Sequence, residues 1–204
     1  MFPLYLIVDR ETCGNRDLVE VLSEALDAGV RFVQLREKAL DRDALLQLAE
    51  QVVNLTDVYD ACLTVNSHPK VAVAVGAKGV HLPAAGPSPE SVREIGGEDL
   101  LVGCSTHDLS ELDRAAASGA DFVTFSPIYT PSLKPGYEGI GLERLLEAVG
   151  KTRLPVFALG GITSDRTGAC RAVGCAGVAV MSGILAARDV RATVRDYLHA
   201  WEEG

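Results

Sequence analysis

Gln34, Arg36 and Lys38 recur at every second position. In an extended chain they share one face, and Leu35 and Glu37 share the other. All three are hydrogen-bond donors, and two are cations. Arginine offers a planar fork of N–H groups and lysine a mobile point charge, a pair suited to holding a phosphate or carboxylate. Near the other end of the chain, Gly160-Gly161 and Ser182-Gly183 each follow an apolar run. Adjacent glycines let the backbone approach an anion closely, and Ser182 adds a hydroxyl. Asn66, Ser105 and Lys134 are further candidates for contact with a ligand. His81 reads as a buried, hydrogen-bonded residue with an acid or base role as the alternative. His68 reads as solvated. His107 either caps a helix or does chemistry. Asp9 reads as an ionic partner of the cations or as a structural residue. No Ser-His-Asp arrangement is identifiable, because nothing marks an oxyanion hole or an orienting acid.

These residues need elements to bring them together. Eight short apolar runs read as strands: Leu4–Val8, Phe32–Leu35, Cys62–Val65, Gly79–His81, Leu100–Cys104, Phe122–Phe125, Val156–Leu159 and Gly177–Met181. Several lack clean alternation, as strands covered on both faces do. Helical stripes lie between them. Leu18–Ala28 carries Leu18, Val21, Leu22, Ala25 and Leu26 on one side, and Ala44–Leu55 carries Leu45, Leu48, Ala49, Val52 and Val53. Further helices are predicted over Val71–Val75, Ser91–Ile95, Leu109–Ala117, Leu142–Val149, Asp165–Val173 and Val190–Trp201, with caps at Ser88 and at Thr163 or Ser164. A glycine followed by a small residue precedes a strand four times, at Gly29, Gly76, Gly119 and Gly174. Glycine fits the left-handed position that ends a helix.

Strands alternating with helices imply right-handed crossovers and a parallel sheet. The expectation is α/β: one compact (β/α)₈ TIM barrel spanning residues 1–204 as a single domain. A six-stranded doubly wound sheet is the alternative. All eight strands are needed to use the chain without long structureless loops. In such a barrel the chemistry sits at the C-terminal ends of the strands, and the loops after the last two often build a phosphate site. That puts the cations across the mouth from the glycine loops. The segment Ser126–Gly136, with prolines at Pro127, Pro131 and Pro135 and the cation Lys134, reads as a lid.

Bulk composition narrows the partners. The chain has 204 residues, 48% hydrophobic and 23% charged, with a net charge of −9. That balance excludes disorder and argues against a broad nucleic-acid footprint. A small phosphate needs only a local cluster of cations. No apolar run is long enough to span a membrane, and the N-terminal residues do not read as a signal peptide. Five scattered cysteines read as reduced thiols, so a cytoplasmic location is expected. The oligomeric state is left open, a homo-oligomer included.

The motifs QLREK, VN, GVH, GCSTH, SPIYTPSLKPG, ALGGIT and VAVMSGI, in this order, resemble thiamin phosphate synthase and its TenI-type relatives. The resemblance covers nearly the whole chain. It implies the barrel, a role near thiamin biosynthesis and a small phosphorylated thiazole ligand. In the synthase, a thiazole phosphate attacks a pyrimidine methyl pyrophosphate and pyrophosphate leaves. Carried over, Gln34, Arg36 and Lys38 match its pyrophosphate motif. Asn66, Ser105 and Lys134 match substrate contacts. Gly161, Ser182 and Gly183 match the thiazole phosphate site, and Gly160 stands beside them as a phosphate-binding candidate from the glycine pair.

The sequence departs from the synthase pattern where aspartates hold magnesium. Those positions are Ser67 and Gly86. The segment His81-Leu82-Pro83 and the Met181-Ser182-Gly183 turn look more like the TenI branch, which tautomerises a thiazole carboxylate phosphate. The resemblance therefore implies first a TenI-like tautomerase with no required cofactor, with Lys38 and His107 as candidates for the proton transfer. The TenI-type histidine itself is replaced by Pro127. The alternatives are a synthase, for which Mg²⁺ would be needed, and a non-catalytic phosphate-binding or regulatory barrel.

Overall fold

The computed structural model describes residues 2–130 and 138–204. Eight parallel strands close into a barrel in the order of the chain. They are β1 (Leu4–Val8), β2 (Phe32–Leu35), β3 (Cys62–Asn66), β4 (Gly79–Leu82), β5 (Leu101–Thr106), β6 (Phe122–Phe125), β7 (Val156–Leu159) and β8 (Gly177–Val180). The last strand pairs with the first, Tyr5 opposite Ala179. The doubly wound alternative is therefore excluded, since an open sheet has two edges. Every predicted strand exists, and boundaries differ by at most two residues.

Around the barrel lie α1 (Arg10–Cys13), α2 (Leu18–Asp27), α3 (Arg42–Val58), α4 (Pro69–Val75), α5 (Pro89–Gly96), α6 (Leu109–Ala117), α7 (Gly141–Lys151), α8 (Ser164–Ala172), α9 (Ser182–Leu185) and α10 (Val190–Glu203). The stripe of α2 is buried at all five expected positions. Burying each such side chain contributes about 1.5–3 kcal/mol. On α3, Leu48 is only partly buried, and Thr56 completes the buried face instead. Carboxylates start several helices: Asp17, Asp41, Asp108 and Asp189 each accept backbone N–H groups of α2, α3, α6 and α10. Ser88 caps α5 as expected, whereas Thr163 precedes α8 without a side-chain bond. Gly76 ends α4 in the left-handed conformation with φ 72°, and the matching glycines of the other three units also have positive φ.

Alternation along the strands divides the apolar residues in two. Leu4, Leu6, Val8, Val33, Leu35, Leu63, Val65, Val80 and their equivalents face the helices and form the larger core. Tyr5, Ile7, Phe32, Phe122, Phe157 and Ala179 form a second cluster inside the barrel. Tyr5 stacks on Phe32 with centroids 4.1 Å apart, and Phe122 meets Phe32 and Phe157 edge-on at 5.2 and 5.7 Å. Such ring pairs add about 0.5–1.5 kcal/mol each beyond burial. Glycine on β5 makes this packing possible. A Cβ on Gly103 would lie 2.7 Å from the His81 ring and closer still to Phe122.

No helix among the described residues is long and apolar enough to cross a membrane. The five cysteines are free thiols, four of them buried.

Candidate active site

Above the aromatic floor the inward positions turn polar. Gln34 on β2, Thr64 on β3, His81 on β4 and Thr124 on β6 are all buried. The Gln34 amide donates to the Tyr5 hydroxyl at 3.0 Å. That hydroxyl lies 2.7 Å from Thr64 Oγ1 and 3.3 Å from His81 Nδ1. On the far side of the ring, His81 Nε2 lies 3.0 Å from Ser105 Oγ and 3.5 Å from Thr124 Oγ1. Thr64 Oγ1 donates to the Val33 carbonyl at 3.2 Å. Burial holds His81 neutral, with its pKa lowered to about 3, and the Arg36 cation adds to that shift. Burial also pushes the Tyr5 hydroxyl well above its ordinary range.

Gln34 is thus a member of this interior layer rather than an exposed contact at the mouth. Strand β2 ends at Leu35, although the Arg36 N–H still donates to Val8 O at 2.9 Å. The expected alternation therefore holds for Gln34 and Arg36. It fails for Lys38, which lies in an exposed bend beyond the strand. Glu37 is buried and accepts from the Arg10 backbone N–H at 2.7 Å and from its guanidinium at 3.2 Å. Asp9 is not the ionic partner of this cluster. Its carboxylate accepts the Thr12 N–H and caps α1. Both nearby carboxylates are therefore engaged elsewhere. Arg36 is half-buried, and among the described residues no carboxylate pairs with its charge.

Asn66 ends β3, half-buried, with its amide donating to Ser67 Oγ at 2.9 Å. Ser67 takes φ 62°, and its N–H donates to His81 O. Ser105 is half-buried at the end of β5. His107 does not cap α6, since Asp108 does. Its ring is exposed, and Nδ1 lies 2.9 Å from Ser126 O. His68 is exposed, as expected. Lys134, and with it the middle of the expected lid, lies outside the described residues.

The loop after β6 is tied down on both flanks. Ile128 N donates to Leu159 O at 2.9 Å and Tyr129 N to Gly160 O at 3.0 Å, while Gly141 N reaches back to Ile128 O. Arg166 stacks over the Tyr129 ring at 4.4 Å and donates to Gly161 O at 2.6 Å. In a trans peptide the N–H points opposite to the C=O. The N–H groups of Gly160 and Gly161 therefore point away from the β6 loop. A Cβ on Gly161, at φ 61°, would sit 2.8 Å from Thr130 O. Loop packing alone therefore requires this glycine. Tyr197 of α10 joins the last two loops: its hydroxyl donates to Ile162 O at 2.9 Å and would meet a Cβ on Gly183 at 2.6 Å. The barrel order separates β2 from β8 by β1 alone. The cations therefore neighbour the Ser182-Gly183 loop across β1, whereas the Gly160-Gly161 loop after β7 lies three strands from β2, most of the way to the opposite wall.

Magnesium usually takes one or two carboxylates together with phosphate oxygens. The two positions that the resemblance assigns to it carry Ser67, whose hydroxyl already accepts the Asn66 amide, and Gly86. Among the described residues no group of three or more His, Cys, Asp or Glu could hold a metal ion. This donor set does not fit the ion.

The residues that sequence reasoning missed are Tyr5, Thr64, Thr124, Tyr197 and the Arg10–Glu37 pair. The first three left one signal, a single polar atom in the middle of an apolar strand.

A family model described as thiamine monophosphate synthase matches residues 4–184. The chain is 43% identical over 198 residues to a putative thiamine-phosphate synthase of Geobacter sulfurreducens, covering 97% of this chain and 93% of that protein. It is 42% identical to putative thiamine-phosphate synthase 2 of Aquifex aeolicus, covering 89% of this chain and 97% of the relative. Among solved structures, thiamine phosphate pyrophosphorylase from Pyrococcus furiosus superposes with TM-score 0.90 at 32% identity, covering 98% of this chain and 96% of its own. The two curated relatives carry putative synthase names and the solved structure a pyrophosphorylase name, and none of these names points to the tautomerase. With its closed barrel, its neutral polar interior and its cationic rim, the chain belongs to the thiamine monophosphate synthase family.

Proposed function

We propose that this protein is a transferase that joins a thiazole phosphate to a pyrimidine methyl pyrophosphate. The observation that carries this reading is Arg36, a half-buried cation at the mouth whose neighbouring carboxylates are turned to other partners. In the reaction the thiazole ring nitrogen forms a bond to the pyrimidine methylene carbon. The bond from that carbon to the pyrophosphate oxygen breaks, and its electron pair leaves with pyrophosphate. No proton has to be removed from the attacking nitrogen. The chain's task is to align the two rings and to stabilise the charge that develops on the leaving group.

Arg36 and Lys38 receive the pyrophosphate in this reading. The backbone of Gly160, Gly161, Ser182 and Gly183 receives the thiazole phosphate. Asn66 and Ser105 orient the ring between them, and Lys134 is a further cation from the β6 loop. The names of the close relatives support the transfer over the tautomerisation that the TenI resemblance implies.

One observation favours a second reading. A carbonyl only accepts, so the contact to Ser126 O puts a proton of His107 on Nδ1 and leaves Nε2 outside that contact. His107 thus stands beside Pro127, where a TenI-type tautomerase has its own histidine. Mass spectrometry for thiamin phosphate after incubation with both substrates, together with ¹H NMR of a separately supplied thiazole carboxylate phosphate, whose tautomers have equal mass, distinguishes the two. Thiamin phosphate as the product supports transfer. Conversion of a thiazole carboxylate phosphate into its tautomer without thiamin phosphate, abolished by His107→Ala, overturns it.

A further inference from the structure

The interior hydrogen bonds can be assigned proton by proton, because each hydroxyl has one proton to give. Thr64 Oγ1 gives its proton to Val33 O, since a carbonyl cannot donate. The 2.7 Å contact between Thr64 and Tyr5 must then be filled by the Tyr5 proton. With its proton spent on Thr64, the Tyr5 oxygen is an acceptor for its other two neighbours. One is the Gln34 amide at 3.0 Å, a donor by its chemistry. The other is His81 Nδ1 at 3.3 Å, which must therefore carry a hydrogen. A neutral imidazole has one such hydrogen, so Nε2 is bare and accepts from Ser105 Oγ at 3.0 Å. Thr124 lies at 3.5 Å from the same nitrogen and is the weaker donor to it. The reverse direction, with Tyr5 donating to Nδ1, requires Thr64 to donate to Tyr5 and leaves the Thr64–Val33 contact without a proton.

We infer that His81 is a positioning residue, fixed as the Nδ1–H tautomer, that takes the Ser105 proton and leaves the Ser105 oxygen as an acceptor at the barrel mouth. A ligand group seated on Ser105 must then be an N–H or O–H donor. Resting on the transferase reading, this seats a donor group of the pyrimidine substrate on Ser105. The relay starts at Val33, at the level of the floor, and ends on the residue that meets the ligand. It spans β2, β1, β3, β4 and β5 through Thr64, Tyr5, His81 and Ser105. Burial of His81, beside the Arg36 cation, keeps the ring neutral and so keeps the direction fixed.

Long-range ¹H–¹⁵N correlation spectra of the ligand-free protein read the tautomer directly. The exposed rings are assigned by loss of signal in His68→Gln, His107→Gln and His199→Gln. The remaining ring should show a bare Nε2 and a protonated Nδ1. The isosteric Thr64→Val removes the acceptor of the Tyr5 proton, which then turns to His81 Nδ1. In that variant the ring should switch to the Nε2–H form. An Nε2–H ring in the parent protein, or no switch in Thr64→Val, overturns the relay. Neither spectrum needs a substrate, so this result stands apart from the transferase reading. In calorimetry, an aminopyrimidine alcohol should bind the parent about tenfold more tightly than its analogue lacking the amino group. Thr64→Val should erase that preference. Equal affinity of the parent for the two probes overturns the acceptor role of Ser105.

Discussion

The floor and the mouth of this barrel interior are built from the same strands and differ in almost everything else. At the floor, Tyr5, Phe32, Phe122 and Phe157 fill the space with rings. Two residues further along the same strands come Ile7, Gln34, Thr124 and Leu159, and at the mouth stands Arg36. The floor needs no ligand to be complete. The mouth holds a cation that forms no ion pair among the described residues, and a hydroxyl with its proton already committed. The difference teaches where each property resides: substitutions in the floor should be read as stability, and substitutions in the rim as affinity. Tyr5 belongs to both, with its ring in the floor and its hydroxyl in the polar layer.

The largest effect should come from the floor. Phe122→Ala removes a fully buried ring and should cost about 3–5 kcal/mol of stability in chemical denaturation. Anion affinity of the fraction that remains folded should be unchanged; a large affinity loss in folded protein would break the division. Next comes the layer between them. The folded-state pKa of His81 is about 3, below the ordinary 6.5, so the unfolded chain takes up a proton that the folded chain refuses. Stability is therefore complete above pH ~6.5 and falls as pH drops towards 3, with a slope from this one group of about 1.4 kcal/mol per pH unit. Carboxylates add their own loss in acid, so the test is a difference: His81→Gln should flatten the denaturation profile between pH 6 and 4.

At the rim, Arg36→Ala should weaken pyrophosphate binding by about 10- to 100-fold, the range for a hydrogen-bonded charge, and leave the melting temperature nearly unchanged. A melting temperature that collapses would assign Arg36 to the scaffold. The smallest effect belongs to a site remote from both regions. Asp17→Ala removes the cap of α2 and should cost about 1 kcal/mol, with binding untouched.

The scaffold was largely legible in the sequence because two periods, near 2 and 3.6, alternate along it and glycine marks the helix ends. The short helices α1 and α9 were not legible, since four residues carry no periodic stripe. The polar layer was harder. Thr64 in Cys62–Asn66 and Thr124 in Phe122–Phe125 look like any polar residue in an apolar run, because parity alone does not say which face is the barrel interior. The cluster at β2 was read correctly as donors but not in its geometry. The alternation expected of Gln34, Arg36 and Lys38 assumes a strand that continues, and β2 ends before Lys38. Glu37 shares the Leu35 face in that pattern, and its burial against Arg10 comes from a long-range contact that local pattern does not encode. The activity was least legible of all: missing aspartates and the His81-Leu82-Pro83 segment point to the isomerase, whereas relatives matched over nearly their whole length carry putative thiamine-phosphate synthase names.

The most direct test of the transferase account is pyrophosphate release by the purified protein, measured with each substrate alone and with both together, with and without magnesium. The account predicts release only when thiazole phosphate and pyrimidine methyl pyrophosphate are both present, one pyrophosphate for each thiamin phosphate formed, and a marked loss in Arg36→Ala. Release that ignores the thiazole phosphate, or none under any condition while the thiazole ligand still binds, would contradict it.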